Sequence, residues 1–122
     1  MRRSSMAWVD VAATSLADGV HHVELDDGRG IALLRRGGQW WALRDVCPHQ
    51  GARLSGGTMR GRVAPCLPGE EISLNDEEPV LVCPWHGWEF DVVTGRSLAD
   101  PCRQRVRSYD VKVEAGRVWV QA

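Results

Sequence analysis

The stretch DVCPHQGARLSGG, from Asp45 to Gly57, places a cysteine and a histidine on either side of one proline and follows them with glycines. A second stretch, VCPWHGWEFD from Val82 to Asp91, repeats the arrangement with one more residue between cysteine and histidine. Proline fixes φ and suits a tight turn that presents its neighbours outward, and glycine lets the backbone come close to an inorganic group. We therefore predict that two loops build one metal site together.

The candidate ligands of this site follow the patterns C-x-H and C-x-x-H, and they are Cys47, His49, Cys83 and His86. A mixed set of thiolates and imidazoles fits tetrahedral zinc, or an iron-sulfur cluster with two cysteines on one iron and two histidines on the other. Zinc sites usually place like ligands together, whereas each loop here supplies one of each kind. The pattern therefore favours the cluster, with zinc in the same ligands as the alternative.

Both loops resemble those of the Rieske iron-sulfur proteins, whose motif is C-x-H in one loop and C-x-x-H in another. The stretches CPHQGARLSGG and CPWHGWEFDVVTGRSL are similar in particular to the soluble bacterial Rieske ferredoxins, and the resemblance covers most of the chain. It implies one 2Fe-2S cluster per chain, near the surface of an all-β Rieske fold. It also implies that Cys47 and Cys83 hold one iron, and that His49 and His86 hold the other.

The same resemblance implies a one-electron carrier, the ferredoxin component of a ring-hydroxylating dioxygenase or related oxygenase, which passes electrons from a reductase to the terminal oxygenase. The small subunits of assimilatory nitrite reductases share this fold, sometimes without the ligands, and are the second reading. A zinc-bound or metal-free structural or interaction module is the alternative of a different class. No acid-base pair, nucleophile or open metal position is recognisable, so we expect an electron-transfer component of an oxidoreductase system rather than an enzyme on its own.

The residues around the ligands also predict the reduction potential. Rieske proteins of membrane complexes, which this chain resembles at its ligands, carry an additional cysteine in each loop, which bridges the loops, and hydroxyl residues that bond to the cluster. The corresponding places here hold Gly51 or Ala52 and Trp85. We therefore predict a low-potential centre, about −150 mV, at the lower edge of the range for such clusters. Trp85 and Trp88 either shield the cluster or pack the core.

The rest of the chain reads as short apolar segments with β periodicity, and no sustained helical stripe is present. Three hairpins are expected, with turn residues that tolerate positive φ: Val20–Leu25 with Ile31–Arg36, Ile31–Arg36 with Gln39–Arg44, and the strands on either side of Ala115-Gly116. The prediction is a single all-β domain over residues 1–122, an antiparallel sandwich or barrel. Its acidic, proline-rich stretch at about 60–79 is expected to be a long surface loop.

Three further features have simpler readings. His21 and His22 are adjacent on a strand, so they point to opposite faces and are expected to be surface or partly buried residues rather than metal ligands. Cys66 and Cys102 lie outside the motif and are expected to be free thiols, with a disulfide between them left open. The basic run Arg103–Ser108 fits a solvated strand face, with a docking patch for an acidic partner as the alternative.

The charge balance and the lack of long apolar runs indicate which classes of partner to expect. Fifteen basic and sixteen acidic residues among 122 give a net charge of −1, which favours neither nucleic acid nor an anionic membrane. No run of about eighteen apolar residues is present that would span a bilayer. Asp10 and Asp18 interrupt any apolar core of an export signal after the twin arginine of the N-terminus. We expect a cytoplasmic protein with protein partners and without membrane or nucleic-acid partners.

Overall fold

The computed structural model describes residues 7–47, 53–63, 68–69, 71, 74–84, 87–99 and 104–122. Within these ranges the chain forms ten strands and one turn of 3₁₀ helix: β1 (Trp8–Ala13), β2 (Gly19–Glu24), β3 (Gly30–Arg36), β4 (Gln39–Arg44), the 3₁₀ turn (Leu54–Gly56), β5 (Thr58–Val63), β6 (Leu74–Val82), β7 (Glu89–Asp91), β8 (Ser108–Tyr109), β9 (Val111–Glu114) and β10 (Arg117–Gln121). No helix in these ranges is long and apolar enough to cross a membrane.

The strands form three antiparallel sheets. The terminal sheet has the order β1-β10-β9, the central sheet β2-β3-β4-β8, and the loop sheet β5-β6-β7. The all-β, antiparallel prediction is confirmed. The three predicted hairpins are also confirmed, and each turn contains glycine at positive φ: Gly28, Gly37 and Gly116. Register is well specified in such strands because a slip by one residue would turn every apolar side chain to the opposite face.

Strand β3 is buried on both faces and separates two apolar cores. Ile31 and Leu33 face one core and Ala32 and Leu34 face the other, and none of the four has measurable exposure. The cysteine core, on the side of the loop sheet, contains Ala32, Leu34, Leu43, Cys47, Leu54, Leu81, Cys83, Phe90, Val92 and Val106. The terminal core contains Leu25, Ile31, Leu33, Ala42, Tyr109, Val118 and Val120. Burial on both faces explains why the sequence of β3 reads as a continuous apolar run.

The stretch expected to be a loop at about 60–79 is largely paired at its flanks. Strands β5 and β6 form a ladder that runs from Thr58↔Val82 to Val63↔Leu74. The register shifts between Gly61, which pairs with Pro79, and Arg62, which pairs with Asn75. Backbone hydrogen bonds can extend a hairpin through a stretch whose side chains are polar. The shift in register accommodates Pro79, which has no N–H to donate to the ladder. The expectation of a loop was wrong for these flanks.

Candidate metal centre

Two of the four predicted ligands are described, and both are buried. Cys47 follows β4 and Cys83 directly follows β6, with exposed fractions of 0% and 1%. Neither of these two cysteines forms a disulfide, and both belong to the cysteine core. Thus the structure brings together two cysteines that lie in separate loops.

The two predicted imidazole ligands, His49 and His86, lie outside the described residues, as do Trp85, Cys66 and Cys102. Among the residues that are described, no three histidine, cysteine or acidic side chains converge in a metal-binding arrangement. The set of four ligands therefore stays a prediction. The structure describes the positions of two of its members, Cys47 and Cys83.

The ladder of the loop sheet brings the two loops side by side. Val82 pairs with Thr58 on one side and with Glu89 on the other, so the first loop ends where the second begins. The backbones approach so closely that a Cβ at Gly57 would collide with the carbonyl oxygen of Val82. Glycine at position 57 is therefore a steric requirement of the contact between the loops.

The second loop is closed at its base by a hydrogen bond. The backbone N–H of Cys83 donates to the carbonyl oxygen of Trp88 at 2.7 Å, and Gly87 takes a φ of +67° within the turn. The half-buried ring of Trp88 packs on the cysteine core and stacks with Phe90, with 6.5 Å between ring centroids. Of the two roles left open for Trp88, the structure supports packing of the core.

The first loop is anchored by a buried carboxylate that the sequence reasoning missed. Asp45 Oδ1 accepts the backbone N–H of Ser55 at 2.7 Å, and Oδ2 lies 2.5 Å from Ser55 Oγ. The same Oδ2 lies 2.5 Å from Nδ1 of His22, on β2. His21, its neighbour, bonds instead through Nε2 to the carbonyl oxygen of Ala17, so the two rings point apart as predicted. Hairpin pairing, rather than any local motif, places His22 beside Asp45.

An exposed, uncharged residue lies next to each thiol along the chain. Val46, beside Cys47, is 41% exposed, and Pro84, beside Cys83, is also exposed. Gly56 and Gly87 are exposed as well. Each thiol is therefore buried next to an exposed residue of the chain.

The Rieske [2Fe-2S] domain family matches residues 7–110 of this chain. The chain belongs to the Rieske family. The cofactor of this Rieske domain is accordingly a 2Fe-2S cluster, and the residues present fit it. Two buried, unbridged thiols in one apolar core supply the soft anionic ligands that iron-sulfur clusters require, in surroundings that exclude water.

Relatives of this Rieske domain include electron-transfer proteins. It is 33% identical over 114 residues to the ferredoxin component of the naphthalene 1,2-dioxygenase system of Pseudomonas aeruginosa, and the match covers 93% of each chain. It is also similar to a chain in a solved complex of reduced oxygenase and oxidized ferredoxin in carbazole 1,9a-dioxygenase. That match has a TM-score of 0.71 and 30% identity, and it covers 96% of this chain and 94% of the other.

A third similarity concerns the second reading of the sequence. A structure from Mycobacterium tuberculosis, assigned as the small subunit of an NADH-dependent nitrite reductase, matches with a TM-score of 0.77 and 27% identity. The match covers 98% of this Rieske domain and 97% of that chain. Both kinds of relative thus share the fold over nearly their whole length.

Proposed function

We propose that this chain carries single electrons from a reductase to an oxygenase on its 2Fe-2S cluster. In this proposal Cys47 and Cys83 hold one iron, and His49 and His86 hold the other. The observation that carries the proposal is the burial of Cys47 and Cys83 in one core, while the β5–β6 ladder joins the two loops. The names of the ferredoxin relatives support an oxygenase system as the setting.

The protein's part in this function is to hold the ligands rigidly and away from water. When bound, the cluster takes up and releases one electron. Cys83 directly follows β6 and Cys47 lies three residues beyond the end of β4, and both belong to the cysteine core. Ligands fixed in this way move little when the charge of the site changes, because close-packed interiors resist displacement.

The exposed, uncharged residues next to the thiols support transfer to a docked protein. Val46 and Pro84 present apolar atoms to the outside directly next to the two buried ligands. A partner that packs on this surface displaces water and comes close to the centre. An electron carrier needs a transient complex, because it must leave one partner to reach the next.

The potential and location follow from the same loops. We expect a midpoint of about −150 mV, at the low edge for centres with two histidine ligands, because neither loop has a cysteine that could bridge to the other. We also propose the cytoplasmic location expected from the sequence, in keeping with described cysteines that form no disulfide.

A second candidate function is that of a nitrite reductase small subunit, which the match of TM-score 0.77 favours. The two candidates differ in partner rather than in fold. Under the second reading the chain would associate stably with a catalytic subunit, whereas a carrier would be purified alone and would exchange electrons in solution.

The test is low-temperature electron paramagnetic resonance on anaerobically purified protein, with iron and sulfide analysis and a reductive titration. We expect a red-brown protein with two irons and two sulfides per chain, a rhombic signal after reduction, uptake of one electron per chain and a low midpoint. Zinc or no metal in the same sample, with no signal after reduction, would overturn the proposal and leave a structural module.

A further inference from the structure

We propose that Asp45 is a positioning residue for the cluster: its buried carboxylate, held by His22 and Ser55, fixes the segment that carries Cys47 and lowers the reduction potential. The proposal rests on the function above, because it takes Cys47 as a ligand. The proposal also assigns a role to His22, a strand residue for which the sequence analysis predicted no function.

The geometry is that of a clamp between three segments. The side chain of Asp45 has no exposed surface, and it lies at the end of β4. Its hydrogen-bond partners come from β2, through His22, and from the 3₁₀ turn, through Ser55. The clamp therefore ties both ends of the first loop to the central sheet, independently of the apolar packing around Leu54.

The chemistry of the three contacts indicates an ionised carboxylate. A buried carboxylate is costly unless hydrogen bonds compensate for the lost water, and in its ionised form it only accepts them. Here it accepts the N–H and O–H of Ser55 and the Nδ1–H of His22, at 2.5 to 2.7 Å. Bonds of this length to a charged acceptor are the stronger kind. On its outer side, Nε2 of His22 lies 3.9 Å from a carboxylate oxygen of the exposed Glu24.

The carboxylate and the thiol are two residues apart along the chain. Asp45 and Cys47 are both buried, while Val46 between them is exposed. A reduced cluster carries one more negative charge than an oxidised one. A fixed negative charge nearby therefore opposes reduction, and burial strengthens this effect because the local dielectric constant is low. A residue that only held the fold together would change stability and leave the potential unchanged.

The test compares variants of the cluster-loaded protein with the wild type. Asp45→Asn keeps the shape and removes the charge, His22→Leu removes one donor, and His21→Leu is the matched control on the same strand. We expect Asp45→Asn to shift the midpoint potential to more positive values and to release the cluster about 10-fold faster, a typical effect of losing a partner next to a ligand. His22→Leu is expected to speed release, His22→Asn to restore the slow rate through its amide donor, and the control to match the wild type.

A midpoint unchanged or more negative in Asp45→Asn, with only the unfolding temperature lowered, would overturn the proposal. If that variant fails to fold, the Ser55→Ala variant tests the proposal instead. It removes the hydroxyl that donates to Asp45 and keeps the backbone N–H that also donates to it. It is expected to release the cluster faster and to change the g-values of the reduced signal, and wild-type behaviour in both would overturn the proposal. A wild-type chain without a cluster would instead refute the proposed function, so the two failures are distinguishable.

Discussion

Cys47 and Cys83 have almost no exposed surface, yet each adjoins an exposed residue, Val46 or Pro84. Burial of this kind protects a thiolate ligand from water and oxidants. At the scale of single residues, the site therefore depends on these two buried side chains. It also depends on Gly57, where a side chain would not fit.

The cysteine ligands can be tested singly. We predict that Cys83→Ser abolishes or strongly reduces the 2Fe-2S content, because the cluster prefers a soft thiolate to the hard oxygen of serine. The variant is also expected to have a less stable fold, because the stabilisation from metal binding is lost. Iron analysis and visible absorbance of the purified protein measure the effect. Cys102→Ser is the control, since Cys102 lies outside the motif, and it should retain the full iron content; equal loss in both variants would contradict the ligand assignment.

The contact between the loops predicts opposite behaviour for two neighbouring glycines. A Cβ at Gly57 would meet the carbonyl oxygen of Val82, whereas one at Gly56 would lie 3.5 Å from Pro84 Cγ, an ordinary van der Waals distance. Gly57→Ala should therefore lower the free energy of unfolding by about 1–3 kcal/mol, as overpacking does. Gly56→Ala should change it by about 0.5 kcal/mol or less. Urea unfolding of both variants decides, and similar values would argue against the close approach.

At the scale of elements, the hairpins carry the fold, and the turn between β2 and β3 shows how local chemistry fixes one of them. Asp27 Oδ1 accepts the backbone N–H of Arg29 at 3.0 Å, and Oδ2 accepts its Nε–H at 2.7 Å. These hydrogen bonds, the backbone one first, hold the pKa of Asp27 below its ordinary value of 3.8. The turn is therefore stabilised while Asp27 is ionised.

This pKa predicts a dependence of stability on pH. Because the folded pKa is lower than the unfolded one, the contribution of Asp27 is complete above a pH of about 4 and is lost as the pH falls through the folded value. We expect Asp27→Asn to flatten this part of the acid unfolding curve, measured by circular dichroism. Asp26→Asn, in the same turn, is the control, and an Asp27→Asn curve parallel to that of the wild type would contradict the prediction.

At the scale of the whole molecule, the central sheet divides the interior into a cysteine core and a terminal core. Among the described residues, the cysteine core contains both thiols and side chains of the loop sheet, and the terminal core contains none of these. A change in the cysteine core is therefore expected to affect both stability and the cluster, whereas a change in the terminal core is expected to affect stability alone. Adjacent residues of β3 offer the comparison, because Leu33 and Leu34 are equally buried and face opposite cores.

We predict that Leu33→Ala and Leu34→Ala each cost about 2–5 kcal/mol of unfolding free energy, the usual range for a buried leucine. Only Leu34→Ala should also change the cluster, with faster release and altered visible absorbance, because its cavity opens in the core that holds Cys47. Urea unfolding and spectroscopy of the loaded variants measure both effects. Equal spectral changes in the two variants would mean that the cores are not independent.

The sequence by itself determined the family, the three hairpins and the candidate ligands, because each depends on residues close together in the chain. The spacing of Cys47 and His49 is a local pattern, and so are glycines at turns such as Gly37. Tertiary structure decided which distant segments are in contact. It placed His22 against Asp45, set the core that each side of β3 faces, and continued the β5–β6 ladder into the expected loop. A period of two residues predicts that faces alternate, but the element that covers each face is fixed only when distant segments pack.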